Sequence, residues 1–450
     1  MLSAFANCFK IPELKKKILF TLGIIVVYRI GCYIPTPGIN GAVLAEFFER
    51  INKTSGGSSI FTIMNMFSGR SLEKLTVFSL GIMPYISSSI IMQLLTAVIP
   101  ALEKIAKEGQ AGYHKINQYT RYGTLVLSLI QSFFIALWLE SPQSFAGLTI
   151  VNDPGWGFRL VTVVTLSAGT LLLMWLGEQI QERGIGNGIS LIITSGILSA
   201  LPSAAHTVVT LLSPGDGGAR QLQPLTLIMM CFFLVAVIIS ITLITQGQRR
   251  IPVQYARRVV GRKVYGGQST YIPLKVDTAG VIAIIFAQSI ILFPATLASF
   301  MPSPLFQSWA GHIARGHFLY YFIYGLLIVF FCYFYTAIVF NPIEVAENMK
   351  KHGGFIPGVR PGTQTADFLD FIMTRITLAG SLFVCGIAIM PDAIMASVKV
   401  PYLVASFFGG TGVLIIVGVM LDTMKQIESH LLMRHYEGFM RTGQLRGRRA

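Results

Sequence analysis

The residues best suited to chemistry in this sequence are basic, and they come in pairs. Arg249-Arg250, Arg257-Arg258 and Arg262-Lys263 lie within one segment, Gln246–Asp277. A guanidinium group binds carboxylate or phosphate through two parallel hydrogen bonds. Paired arginines on a projecting loop therefore suit an acidic partner, either RNA phosphates or an acidic protein. Val259, Val264, Tyr265 and Tyr271 interleave with the charges, which predicts a folded element such as a hairpin rather than a disordered linker. A second segment, Asn341–Thr365, carries Lys350, Lys351 and Arg360 among glycines and prolines. Those residues specify turns and place Arg360 at an exposed tip. Plain excess positive charge on one side of a membrane would look the same, and the sequence leaves both readings open.

Other chemistry is hard to find. There is no G-x-x-x-x-G-K-[ST] phosphate loop and no H-E-x-x-H, and the seven histidines are dispersed. No catalytic residues, cofactor or metal site are expected, and the chain does not read as an enzyme. Cys8, Cys32, Cys231, Cys332 and Cys385 are scattered without a CxxC pair, which predicts free thiols. Ionisable residues within apolar stretches are functional by default, yet Arg29 is the clear case. It lies near the outer end of the first apolar block, where a long side chain snorkels to the headgroups. Asp277, Asp370 and Asp422 sit at block ends, and Glu178 and Glu182 at an exit. No carboxylate stands at mid-block, which argues against a proton-coupled carrier.

The elements that must position these residues are membrane helices. Of 450 residues, 53% are hydrophobic and only 12% charged, against roughly 25% charged in a soluble protein. Apolar residues come in blocks of about twenty, the length that crosses about 30 Å of hydrocarbon as a helix. Continuous blocks exclude barrel strands, because lipid offers nothing to unpaired backbone. Spans are predicted at about 18–35, 76–100, 121–140, 159–179, 188–211, 222–246, 279–300, 318–341, 373–391 and 402–424. The first follows Lys10, Lys15, Lys16 and Lys17 and runs into Pro35-Thr36-Pro37 without a small-x-small cleavage site. It reads as a retained span, not a leader. Ile60–Lys74 is apolar but too short to cross, which predicts a re-entrant or interfacial piece. Gly81 and Pro84 are expected to bend or break the second span.

Orientation follows from lysine and arginine. With a cytoplasmic N-terminus, about 26 of the 35 Lys and Arg fall on the cytoplasmic side. Both termini are therefore expected in the cytoplasm, and the net charge of +15 needs no nucleic acid. About ten spans divide into two odd halves, so any repeat between them must be inverted. The expected organisation is an N-terminal half over 1–215 and a C-terminal half over 216–425 with cytoplasmic loops at about 246–277 and 341–372. A cytoplasmic tail over 426–450 follows.

An ordered set of motifs resembles the SecY family. It comprises NMFSG (65–69), SLGIMPYISSSIIMQLL (79–95), KINQYTRYGTLV (115–126), LMWLGEQIQERGIGNGIS (173–190), GQRR (247–250), SIILFPAT (289–296), FIPGVRPG (355–362) and Gly409-Gly410-Thr411. The matches run from the first span to the last. The resemblance implies an all-α integral membrane fold, two inverted five-helix halves around an hourglass pore, with a short re-entrant plug helix at about 61–74. A polypeptide would cross this pore or leave sideways into lipid.

Carried over motif by motif, the family's constriction ring falls on Ile82, Ile86, Ile189, Ile193, Ile285 and Ile415. Ile82/Ile86 and Ile189/Ile193 are i, i+4 pairs, each on one helix face. A ring of branched side chains excludes water and ions by dewetting without bonding to a passing chain. Without the family, these isoleucines read equally as ordinary core or lipid-facing residues. The plug maps to Phe61, Met64, Asn65, Met66, Phe67, Ser68, Gly69 and Arg70. The lateral gate maps to Ser87, Ser88, Ser89 and Gln93 facing Gln288, Ser289 and Phe293. Contacts of this polar kind are worth about 0.6–2 kcal/mol, which suits a seam that must open.

Arg249, Arg250, Arg257, Arg258, Arg262 and Arg360 become candidates for docking the ribosome or a SecA motor ATPase. The family implies SecE-like and SecG-like membrane subunits, secretory preproteins with signal sequences as clients, surrounding lipids, and a bacterial cytoplasmic (inner) membrane location. The sequence departs from the family pattern at Ala283, where proline is usual, at Arg70, where glycine is frequent, and at Gly412, where serine is frequent. The competing reading is a secondary transporter with a five-plus-five inverted repeat. The empty mid-block positions and the large arginine-rich loops weigh against it.

Overall fold

In the structure, a computed structural model, residues 11–54, 60–141, 145, 150–213, 223–255, 258–260, 263–265, 269–300, 318–398 and 400–442 are described. Among the described residues, the chain is largely helical, with two small sheets. It divides into two compact units. The first comprises residues 1–206, 295–308 and 415–450, the second 207–294 and 309–414.

In the first unit, α1 (Pro12–Gly31) opens with proline in its first turn, where a missing N–H costs nothing. It ends before Pro35, and residues 34–36 run alongside 75–77 through the Thr36 N–H to Leu75 O and Val77 N–H to Ile34 O bonds. Next come α2 (Gly41–Thr54), an amphipathic helix absent from the sequence reading, and α3 (Ile60–Phe67), eight residues long. The second span differs from its expectation. Gly81 (φ +59°) and Pro84 do not bend a helix; they precede and open one, α4 (Met83–Val98). The break comes at its other end. Ile99 is extended, as a residue before proline tends to be, and Pro100 starts α5 (Pro100–Lys107) at 100° to α4.

Two long helices follow, α6 (Gln110–Glu140) and α7 (Trp156–Arg183). Arg121 forks onto Glu178 at 2.9 and 2.8 Å near one end of this pair. Arg159 meets Glu140 at 2.7 and 2.6 Å near the other. The fifth span is split at Ala200 into α8 (Gly188–Ser199) and α9 (Leu201–Leu212). Leu44, Phe48, Met64, Leu72, Leu75, Trp138, Leu139 and Phe158 form a hydrophobic core in this unit.

In the second unit, α10 (Pro224–Gln246) is apolar yet buries only Met230, Val237 and Ile241. A helix apolar all round and exposed is what hydrocarbon accepts and water does not. Then come β1 (Gln248–Tyr255), β2 (Arg258–Val260), β3 (Lys263–Tyr265) and β4 (Ser269–Lys275), the hairpin anticipated for this loop. α11 (Gly280–Phe300), α12 (Phe318–Val339), α13 (Pro342–Lys351), β5 (Gly354–Phe355), α14 (Thr363–Val398) and α15 (Tyr402–Phe408) complete the unit. β1 is central in the order β4-β1-β5, all antiparallel. Ile251 and Val253 point into a core with Leu274, Met349, Ile356 and Leu369. The last helix, α16 (Thr411–Thr442), runs well beyond the predicted end of its span.

Among the described residues, seven helical segments are long and apolar enough to cross a membrane, and the bent pair α4–α5 makes up to eight. α1 escapes this count because Lys15, Lys16, Lys17 and Arg29 lie within its 20 residues. α11 (Gly280–Phe300) is likewise apolar over its 21 residues. With these two pieces, the helices correspond to the ten predicted spans.

Candidate functional site

The short helix α3 is gripped along its whole length. Phe61 stacks on Trp138 at 5.1 Å and meets the edge of Phe48. Met64, Met66 and Phe67 are buried. The chain then reverses through Gly69 (φ +70°) and Arg70 (φ +66°), left-handed conformations that cost a non-glycine residue about 1 kcal/mol or more. A polar brace offsets that cost. Asn65 donates to the Glu73 carboxylate at 2.8 Å and accepts from the Glu73 N–H at 3.1 Å. Arg70 donates to the other carboxylate oxygen at 2.9 Å. The charge at Arg70 is thus matched locally. Ser68 donates back to the Asn65 carbonyl at 3.2 Å.

Arg29 does not simply snorkel. Its guanidinium donates to the Gly69 carbonyl at 3.3 Å. Glu73 and Arg29 are the residues that pattern reading missed as partners of this helix, because their acceptors and donors are fixed by the turn and not by spacing.

The six isoleucines occupy both units. Ile82, Ile86, Ile189, Ile193 and Ile415 belong to the first and Ile285 to the second. All but half-buried Ile189 are buried. Ile82 caps α4, and its carbonyl accepts the Ile86 N–H at 3.1 Å, which keeps the pair on one face. α8 carries Ile189 and Ile193 and starts at Asn187, whose side chain caps the Ser190 N–H at 3.3 Å. Gly177 of α7 leaves room for Ile189; a Cβ there would lie 3.2 Å from it.

The polar residues of α4 are more occupied than expected. Ser88 donates to the Thr120 carbonyl of α6 at 2.8 Å, so its hydroxyl is engaged with the third span and does not stand free for the seventh or eighth. Gln93 donates to Ser89 on its own helix at 3.2 Å. Ser87 is buried. In α11, Gln288 and Ser289 are buried and Phe293 is half-buried. The Gln288 side-chain oxygen is buried without a hydrogen-bond partner among the described residues.

Arg249, Arg250 and Arg360 are exposed. Arg250 lies 4.8 Å over the Tyr271 ring on the neighbouring strand β4, a cation–π contact that splays the guanidinium along the outer face. Gly358 (φ +86°) and Gly362 (φ +114°) shape the turn that carries Arg360. Arg257 and Arg262 lie outside the described residues; Arg258 lies in β2, and its side chain is not described. In α5, Lys107 holds the Glu103 carboxyl below its usual range through a 2.6 Å pair.

The sequence model of the SecY family matches residues 76–424. The protein translocase subunit SecY of Escherichia coli (strain K12) is 48% identical over 442 residues, covering 97% of this chain and 96% of its own length. A solved structure described as that of a protein conducting channel superimposes with a TM-score of 0.63 over 94% of this chain and 96% of its own, at 17% identity. Sec61 in the canine ribosome–channel complex gives a TM-score of 0.60 over 94% and 96%, at 16% identity. At such identities the two structures speak for the fold.

Proposed function

We infer the function from one premise: this chain belongs to the SecY family. It is a protein-conducting channel subunit of a translocase, which passes unfolded secretory polypeptides across the membrane and releases transmembrane segments sideways into lipid. The observation that carries this is near-complete, 48% identical coverage by a bacterial translocase subunit. The secondary-transporter reading has no comparable support. The protein is a multi-pass membrane protein of a bacterial membrane and works with other translocon components and the ribosome.

The two halves, 1–215 and 216–425, enclose the pore, the tail over 426–450 is cytoplasmic, and both termini face the cytoplasm. Ile82, Ile86, Ile189, Ile193, Ile285 and Ile415 form its apolar waist. Residues 61–74, centred on Phe61, Met64, Asn65, Met66, Phe67, Ser68, Gly69 and Arg70, are the plug. Its burial and its polar brace support a part that closes firmly.

Ser87, Ser88, Gln93, Gln288, Ser289 and Phe293 mark the lateral gate. The unsatisfied Gln288 oxygen supports this, because a buried acceptor without a donor raises the energy of the state that buries it. Arg249, Arg250, Arg257, Arg258, Arg262 and Arg360 dock the ribosome or a SecA-like motor, which supplies the energy. SecE-like and SecG-like subunits complete the assembly. The inner membrane is its site.

The test is crosslinking of a stalled secretory preprotein to cysteines placed at Ile86, Ile193 and Ile285. Crosslinks at all three, dependent on the stalled chain, are expected. A chain engaged elsewhere with none at these positions would remove the waist assignment.

A further inference from the structure

Two carbonyls in the turn after α3 point the way. Near the end of the helix, the Met64, Asn65 and Met66 carbonyls, which lack intrahelical donors, accept the Ser68, Arg70 and Gly69 N–H groups of that turn. The turn's own carbonyls, Ser68 and Gly69, find donors on a different element. The Tyr28 hydroxyl lies 3.4 Å from the Ser68 carbonyl oxygen, and the neighbouring Arg29 guanidinium lies 3.3 Å from that of Gly69. A cation at a helix C-terminus also meets the negative end of the helix dipole. Tyr28 is itself held, buried and stacked against Phe78 at 6.0 Å. Gly31, one turn on, lets that ring approach; a Cβ there would collide with Phe78.

The underside of the same turn is lined by glycine. A Cβ on Gly69 would lie 2.5 Å from the Tyr28 hydroxyl and 3.3 Å from Gly196 Cα. Gly196 is an ordinary helical residue of α8, so its backbone does not require glycine. What it supplies is space, since a Cβ there would lie 3.0 Å from the Phe67 carbonyl, 3.2 Å from the Tyr28 hydroxyl and 3.3 Å from the Gly69 nitrogen. A Cβ on Gly81 would lie 3.4 Å from Ser68 Cα. Gly81 immediately precedes Ile82, and Gly196 lies about one turn beyond Ile193 on the same helix. The turn after α3 therefore rests on backbone next to two of the proposed waist residues.

We propose that Gly69, Gly81 and Gly196 form a cradle, and Tyr28 with Arg29 a latch, that together hold the turn at Ser68–Gly69. Tyr28 and Arg29 are then positioning residues that set how readily the short helix leaves its seat. The two ends of α3 differ in kind. Its start is held by ring stacking on Trp138, which tolerates sliding and tilt. Its end is held by two long, directional hydrogen bonds, which are lost at once when the turn lifts. Release begins at the latched end. This rests on the reading of residues 61–74 as the plug.

The experiment is hydrogen exchange on the full chain with its native partner subunits in lipid nanodiscs, reading peptides across 61–74, together with ion conductance in planar bilayers. The Gly69 and Arg70 amides donate to the Met66 and Asn65 carbonyls, so their exchange reports the turn opening. Tyr28→Phe and Arg29→Gln are each expected to speed it about two- to tenfold, the range for one lost hydrogen bond, with α6 and α7 unchanged. Gly196→Ala is expected to do the same with both latch side chains intact. Unchanged exchange in Tyr28→Phe overturns the latch. That variant removes one oxygen from a ring that stays packed, so it decides the matter even if the other two fail to fold. Unchanged exchange in a folded Gly196→Ala overturns the cradle. Faster exchange with raised conductance supports both latch and plug. Faster exchange at wild-type conductance keeps the latch and removes the plug reading.

Discussion

The sheet around β1 and the seat of the short helix use charge in opposite ways. Around α3, charges are matched within the chain: Arg70 on Glu73 and Arg29 on a carbonyl. On β1 and the turn after β5, Arg249, Arg250 and Arg360 are exposed, and among the described residues none of them forms an ion pair. The first arrangement fixes a backbone that would otherwise be strained. The second leaves the sheet to be held by Ile251, Val253, Leu274 and Met349, and its arginines stay available to an acidic surface. The chain thus uses its basic residues in two ways, some paired within the turn after α3 and others exposed on the sheet.

That contrast breaks if charge reversal on the sheet unfolds it. Arg249→Glu with Arg250→Glu is expected to weaken docking of ribosome or motor about tenfold or more, because like charges set face to face cost several kcal/mol. Thermal unfolding of the purified channel should stay within a degree or two of wild type, and a large drop would show that the arginines are structural. Trp138→Ala is the converse test. Loss of a buried indole costs about 3–5 kcal/mol, so unfolding should come markedly earlier while docking affinity is kept.

Glu73→Ala sharpens the comparison further. Removing the acceptor of Asn65 and Arg70 is expected to cost about 1–3 kcal/mol, read as earlier proteolysis within 55–75. Arg70 is partly exposed, so the upper end of that range would mean the brace also carries strain. The smallest effect belongs to Glu103. Its carboxyl is held low by Lys107, so the pair contributes above the ordinary carboxylate range and is lost as pH falls through the lowered value. A slight loss of α5 helicity in acid, absent in Glu103→Gln, is the expected signal.

The spans were legible because hydrocarbon demands a run of apolar residues and tolerates little else. Helix starts were less so. Pro84 suggested a bend, but a proline in the first turn and one at a break look alike in sequence. α2 went unseen because Glu46 and Arg50 break up the apolar run along the sequence, although they pair on the exposed face opposite buried Leu44 and Phe48. At the candidate site, residue identities for α3 could be listed from motifs. Their bonding could not: Arg29 meets a carbonyl 40 residues away and Ser88 one 32 residues away. Backbone acceptors have no letter in the sequence. The same limit hid Tyr28, which reads as one more aromatic residue in an apolar block.

The ion pairs that tie α6 to α7 have a metric consequence. Arg121 and Glu140 stand nineteen residues apart on one helix, and Arg159 and Glu178 nineteen apart on the other. At 1.5 Å per residue, that is about 28 Å between the two clasps, close to the roughly 30 Å of a bilayer's hydrocarbon. The hairpin thus has the dimensions of a caliper whose jaws match the spacing of the two headgroup layers. Lipids with much shorter or longer acyl chains would have to stretch the membrane to the jaws or tilt the hairpin between them.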